Sequence, residues 1–315
     1  MTELLEVTDL RLSYGKLHAL RGANLQARAG EVIGIVGESG CGKSTLASAL
    51  IGLPAEGAAL SGSIKIAGQE MVAASAASRR ALRGDRVAMI FQDPMTAFNP
   101  VLTLGDQLID FQHRSHLSRK EKRAKARDML ASVGLPDPDL ALKRYMHELS
   151  GGMRQRASIA AALLVSPDLL IADEPTTALD VTMEAQIIHL FRQLRAHHHG
   201  AIVIVTHHLG VVGELCDRVY VMYAGEVVEE GTVDEIYHSP RHPYTAALIA
   251  CDPMHLEVTD QRLPTIPGRL PDLTNPPRGC AFASRCVKAA AICAEPPPRK
   301  RLSPTQAALC HRIAE

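Results

Sequence analysis

The sequence predicts an α/β fold: a mainly parallel sheet flanked by helices, with a helical subdomain inserted into it and a loop-rich extension after it. Two observations carry this expectation. Short β-branched runs alternate with longer helical stretches, the pattern of strands joined by crossover helices. The clearest strands, Glu31–Val36, Arg86–Phe91, Leu169–Ala172 and Ala201–Thr206, each end where a polar, chemically equipped loop begins. Ligands of open α/β sheets bind at the carboxyl ends of strands, so these loops are expected to serve one site.

Residues from Asp93 to Val165 read mostly as helix, with Ser118–Val133 charged and amphipathic. Past Arg218, two short strands are expected around a turn at Gly225. From about Ser239 onward Pro, Arg and Cys dominate, and segments such as LPTIPGRLPDLTNPPRG cannot form regular helix or sheet. The expected organisation is a core over residues 1–238, its helical subdomain at about 93–165, and an extension over 239–315. No internal repeat is evident.

Bulk properties narrow the function classes. Of 315 residues, 46% are hydrophobic and 22% charged, an ordinary globular balance. Lys plus Arg and Asp plus Glu are 34 each, and aromatics are only 3% with no Trp. Such a chain lacks the charge and stacking residues of a nucleic-acid binder, so no nucleic-acid partner is expected. The basic run Arg119–Arg127 reads as a solvated helix face. The longest apolar run, Ala157–Val165, falls well short of a membrane span, and the N-terminal residues have no signal-peptide character. A cytoplasmic chain is expected, with any membrane role supplied by partners.

Gly37-Glu38-Ser39-Gly40-Cys41-Gly42-Lys43-Ser44-Thr45 follows the strand VIGIV and precedes the helix-like TLASALIGL. This is the phosphate-binding loop in its strand–loop–helix setting. Its glycines permit backbone conformations closed to other residues, so successive amides can face a phosphate chain. The helix N-terminus adds positive potential at the same spot. Lys43 is expected to reach the β- and γ-phosphates, the Ser44 hydroxyl to ligate Mg²⁺, and Thr45 to contact an inner phosphate, with the Cys41 thiol a bystander. The apolar strand LLIA then delivers Asp173 to the Mg²⁺ shell and Glu174 to the attacking water. Phosphoryl transfer needs mainly positioning and charge neutralisation, which two carboxylates can supply.

Leu149-Ser150-Gly151-Gly152-Met153-Arg154-Gln155 resembles the LSGGQ signature of ABC ATPases. Taken alone it would read as a capped helix start with a Gly pair. With the loop and the Asp-Glu strand end, the chain is identified as a member of that family, whose core is a RecA-like P-loop NTPase fold. The resemblance implies that Ser150, Gly151 and Gly152 of one subunit close over ATP held by the opposite subunit. It also implies that Tyr14 stacks on adenine and that Gln92 is the Q-loop residue, sensing Mg²⁺ and leading toward a permease. Thr177-Ala178-Leu179-Asp180 would be the D-loop at the dimer interface, and His207 the switch histidine at the γ-phosphate. His208 departs from the pattern, which has Asp there, and this bears on the hydrolysis rate. The segments FQDPMTAFNPVLTLGDQL, DEPTTALDVTMEAQI, SPRHPYTAALI, IPGRLPDL and GCAFASRC extend the likeness over residues 4–315. They resemble the dipeptide/oligopeptide importer ATPases of the peptide and nickel branch.

Seven cysteines are present, and Cys280, Cys286, Cys293 and Cys310 fall in the extension with spacing C-x5-C-x6-C-x16-C. Loop-rich peptides of this kind are commonly organised by a metal. Zinc fits this spacing poorly, four thiolates on irregular loops fit an iron–sulfur cluster, and four reduced, metal-free cysteines remain an alternative. The family resemblance implies a [4Fe–4S] cluster, expected to be structural because nothing nearby supplies a redox substrate. His197, His198 and His199 read as a solvated helix end.

The resemblance implies a peripheral subunit on the cytoplasmic side of the inner membrane, paired with a second, related ATPase. Two permease subunits and an extracytoplasmic substrate-binding protein would complete an importer of di- or oligopeptides. Nickel or another small solute is an alternative cargo. Soluble ABC proteins of DNA repair or the ribosome, and a regulatory subunit whose Cys-rich tail senses iron or oxidation, are the rival readings.

Overall fold

Regular alternation of buried and open positions marks a sheet with one covered face, and continuous burial marks a central strand. Both occur in this chain. The computed structural model describes residues 3–177, 179–252 and 264–313. The chain forms two compact units, Met1–Ala73 with Ile204–Glu315, and Ala74–Val203.

In the first unit, β1 (Glu3–Tyr14), β2 (Leu17–Arg28), β4 (Ala58–Ile66) and β5 (Gln69–Glu70) form an antiparallel sheet in the order β2-β1-β4-β5. Leu5, Val7, Leu10 and Leu12 of β1 are all buried, although Val7 and Leu10 are an odd number of residues apart. A register shift between them, with Asp9 left-handed at φ +43°, brings Leu10 back to the core face. On β4 a Cβ at Gly62 would lie 2.4 Å from the Asp9 carbonyl oxygen, so the bulge needs glycine opposite it.

The same unit holds β3 (Val32–Val36), β9 (Arg218–Tyr223), β10 (Glu226–Thr232), β11 (Arg299–Arg301) and β12 (Ala307–Leu309), in the order β11-β12-β10-β9-β3. β3 is buried throughout and runs parallel to β9. The expected hairpin at Gly225 is present. Ala224 and Gly225 both have positive φ, as a tight turn matching strand twist requires. The strand β8 (Ala201–Thr206) runs across the boundary between the units. Helices α1 (Lys43–Leu50), α8 (Leu209–Leu215), α9 (Val233–His238) and α10 (Pro243–Ala250) complete this unit.

The C-terminal extension is loop-rich as expected, yet it also contributes β11 and β12, which add antiparallel strands beside β10. Charged, Pro-flanked RKR carries no strand signal of its own; β12, itself paired to the edge of β10, supplies the pairing. Polar ties fasten the extension to its unit. The fully buried Glu229 carboxylate accepts from the amides of Arg241 and His242 at 2.7 and 2.8 Å and from Gln306 at 3.1 Å. Glu235 accepts from Ser303 and Thr305. An aromatic cluster of Tyr223, Tyr244 and Phe282, with centroids 4.6–5.4 Å apart, concentrates much of a scarce aromatic content here.

In the second unit, β6 (Val87–Ile90) and β7 (Leu169–Asp173) pair in parallel, with an Arg86–Asp168 ion pair where they begin. Around them lie α2 (Ala76–Leu82), α3 (Leu104–Phe111), α4 (Arg119–Ser132), α5 (Pro138–Ala141), α6 (Gly151–Leu163) and α7 (Val181–His197). Ser118 and Glu121 form a reciprocal capping box that starts α4 at the position its pattern predicts. The histidines at the end of α7 differ from expectation. His197 and His199 are exposed, but His198 is half-buried, and its pKa is lowered by that burial.

Candidate nucleotide site and cysteine cavity

The loop after β3 turns through left-handed backbone at Gly40 and Gly42, at φ +81° and +108°. A Cβ at Gly37 would lie 2.2 Å from the Met222 carbonyl oxygen, so the loop can pass β9 only without a side chain there. Lys43 opens α1 and is buried, and its Nζ donates to the carbonyls of Gly37 and Glu38 at 2.8 and 3.1 Å. A cation is thereby held at a helix N-terminus beside turned backbone, the arrangement that binds phosphate. Ser39 and Ser44 are exposed and Thr45 is half-buried. Cys41 is buried, its thiol pKa pushed up by desolvation, and its carbonyl accepts from the Gly225 amide at 2.8 Å.

Tyr14 ends β1 half-buried. His207 follows β8, exposed, its ring centroid 4.2 Å from that of His208. His208 is the N-cap of α8, but its side chain makes no capping bond, the bond an Asp at this position would supply.

In the second unit, β7 ends at buried Asp173. Glu174 follows in the left-handed region at φ +48°, and its Oε2 accepts from Thr177 Oγ1 at 2.5 Å. Such a conformation costs a non-glycine residue roughly 1–3 kcal/mol and concentrates at functional positions. Gln92 lies exposed in a bend after β6. Ser150 caps α6, accepting from the Met153 amide at 3.4 Å. Gly151 faces open space, whereas a Cβ at Gly152 would meet the Met183 side chain. Asp180 caps α7, accepting from the Met183 amide at 2.9 Å. Ala178 of the same loop lies outside the described residues.

Two further residues, Tyr244 and Arg285, lie at the phosphate loop without any local sequence signal. The Glu38 amide donates to the Tyr244 hydroxyl at 2.9 Å, and the Glu38 carboxylate is paired with Arg285. No local pattern could have marked them, because they are more than 200 residues from the loop.

Cys280, Cys286, Cys293 and Cys310 line one small cavity, together with His242 and Phe282. All are unpaired thiols. The Cys280 amide donates to the Cys293 carbonyl at 2.9 Å, which joins two walls of the cavity. Burial pushes the Cys280 thiol up to about 11, and the nearness of Cys293, Cys310 and Cys286 adds to the rise. Opposing this, the Phe282 amide donates to Cys280, the Lys288 amide to Cys286, and the Arg312 amide to Cys310 Sγ at 3.4 Å. Three of the four sulfurs thus carry a backbone N–H donor two residues on. Among the described residues, no group of three or more His, Cys, Asp or Glu stands in a metal-holding arrangement. The four sulfurs share a cavity without being drawn into ligand geometry.

The family described as ABC transporter matches residues 20–177, and that described as oligopeptide/dipeptide transporter, C-terminal region, matches residues 228–293. The chain is 46% identical to a probable peptide ABC transporter ATP-binding protein of Sinorhizobium fredii, covering 99% of this chain and 96% of that one. It is 46% identical to a probable D,D-dipeptide transport ATP-binding protein of Escherichia coli, over 93% and 92%. An oligopeptide transport ATP-binding protein of Bacillus subtilis is also 46% identical, over 97% and 87%. A solved dimeric ATP-binding cassette, MJ0796 in a post-hydrolysis state with ADP and Pi, is similar at TM-score 0.65 and 28% identity, over 73% of this chain and 98% of that one.

Proposed function

The chain belongs to the ABC transporter family, and on that premise we propose that it is the ATP-hydrolysing subunit that powers import of peptides through a membrane transporter. The observation that carries this reading is the Gly-rich turn after β3 with Lys43 buried at the start of α1. The first unit supplies the binding groups. Amides from Gly37 to Thr45 receive the phosphates, Lys43 balances their charge, Tyr14 stacks on adenine, and His207 contacts the γ-phosphate. The second unit supplies Glu174, which orients the attacking water, and Ser150, Gly151, Gly152 and Asp180, which act across a dimer. Ser44, Gln92 and Asp173 have the oxygen donors that suit Mg²⁺, an ion that neutralises charge on the transferring phosphoryl group.

No described helix is long and apolar enough to cross a membrane. The peripheral position on the cytoplasmic face, the two permease subunits, the extracytoplasmic binding protein and the pairing with a second, related ATPase come from the family likeness. For the extension, the reading is a structural [4Fe–4S] cluster held by Cys280, Cys286, Cys293 and Cys310. Four thiols around one cavity, three with a backbone N–H aimed at sulfur, are the donor set such a cluster takes. Iron and sulfide analysis of anaerobically purified protein should give about four irons per chain; less than one sinks the cluster.

The whole reading is tested by reconstituting the transporter with its binding protein and measuring ATP hydrolysis with a peptide mixture. Stimulation by peptides is expected. Stimulation by nickel chelates or oligosaccharides in place of peptides would change the cargo, and none by any solute would overturn the importer reading.

A further inference from the structure

The phosphate loop carries a liability in its own sequence. Glu38, its second residue, places a carboxylate where the backbone and Lys43 must attract an anion, and a free carboxylate there would repel the phosphates. It would also compete for Lys43, whose Nζ already donates to the Glu38 carbonyl.

Arg285 answers both problems. Its Nη1 donates to Glu38 Oε2 at 2.7 Å and its Nη2 to Oε1 at 2.9 Å, a forked pair. The Arg285 side chain is only 3% exposed and that of Glu38 is 28% exposed. The guanidinium is itself held on every side. Nε donates to the Pro267 carbonyl at 2.7 Å, Nη2 to that of Ile266 at 3.2 Å, and Nη1 to the Tyr223 hydroxyl at 3.3 Å. With the two bonds to Glu38, all five guanidinium N–H groups have acceptors. Nothing about the fork is left to rotate, so it sets where the carboxylate sits. The Glu38 amide is meanwhile pinned by the Tyr244 hydroxyl.

We propose that Arg285 is a positioning residue of the ATP site: it neutralises and holds Glu38 so that the phosphate loop and Lys43 remain free to take the phosphates. Arg285 immediately precedes Cys286 in the cysteine-bearing extension. The extension therefore contributes to nucleotide affinity through this one side chain, although it carries none of the loop's binding groups. The inference rests on Lys43 and its loop being the ATP site, which Lys43→Ala tests separately.

The test is a double-mutant cycle in the full chain, read as MgATP affinity by fluorescent-nucleotide displacement, with steady-state ATPase in the assembled transporter. Arg285→Ala should weaken affinity about tenfold, raising KM for ATP while kcat at saturation stays within about threefold. Adding Glu38→Gln should recover most of that affinity, because the unpaired charge is gone. Arg285→Lys, with charge but no fork, should lose about threefold, again recovered by Glu38→Gln. If Arg285→Ala does not fold, the Lys pair reads the same cycle. Unchanged affinity in the Arg285 variants would overturn the proposal. So would a loss that Glu38→Gln fails to recover, since a residue that only folds the extension cannot be rescued from the loop.

Discussion

The phosphate loop and the cysteine-bearing extension both lie in the first unit, but they are built by opposite means. The loop is local. Residues 37–45 are contiguous, their chemistry comes from backbone amides and one lysine, and the turn uses the left-handed backbone of Gly40 and Gly42. The extension is assembled from distant parts. Its four cysteines span 280–310, and its anchors reach back to Glu229, Glu235, Tyr223 and Glu38. A local site concentrates function in a few atoms and is disabled by changing any of them. A site held by long-range polar ties spreads its dependence over many residues, each affecting stability before chemistry.

Substitutions can sharpen or break that contrast. The largest effect is expected from Glu174→Gln, which should lower kcat by a factor of about 100 to 10,000 while MgATP binding persists, because only water orientation is lost. Turnover at the normal rate would remove Glu174 from its role. Lys43→Ala should leave the fold intact and weaken nucleotide binding about 10- to 100-fold, the value of hydrogen bonds from a charged donor. Unchanged affinity would break the picture of a local site. In the extension, Glu229→Ala strands several buried donors and should destabilise the chain by about 3 kcal/mol, read by denaturant unfolding. If its unfolding midpoint matches that of the parent, the polar ties do not hold the extension. Ser118→Ala, which removes the cap of α4, should cost about 1 kcal/mol and leave nucleotide affinity unchanged, a control for purely structural loss.

The smallest effect concerns pH. Burial lowers the pKa of His198, so the unfolded chain binds that proton more readily than the folded one. The stability it contributes is present above the ordinary histidine pKa and falls as pH drops below it. His198→Asn should make the stability profile below about pH 6.5 shallower; an unaltered profile would show that His198 titrates as a solvated residue.

How far each region was legible follows the same division. Gly37 to Thr45, Asp173-Glu174 and Ser150-Gly151-Gly152 were readable because their chemistry depends on neighbours in the chain: a strand before, a helix after, a cap at its start. The α4 helix was readable because its capping box and charge pattern are equally local. The β1–β2–β4–β5 sheet left only a weak signal, since its alternation is broken by the bulge at Asp9, and β11 left none, since RKR is a strand only beside β12. The convergence of the four cysteines on one cavity was expected from the family likeness and not from their spacing, because spacing alone does not say which loops fold together.

Read along the chain, the residues carry the motif of a phosphate-binding loop, a carboxylate at a strand end, and a signature that points to the family. Folding alone pairs Glu38 with Arg285 and sets Glu229 against the amides of Arg241 and His242. The physical reason is range. Backbone conformation and helix capping are set within a few residues, whereas pairing of a buried charge depends on groups that only folding brings within hydrogen-bond distance.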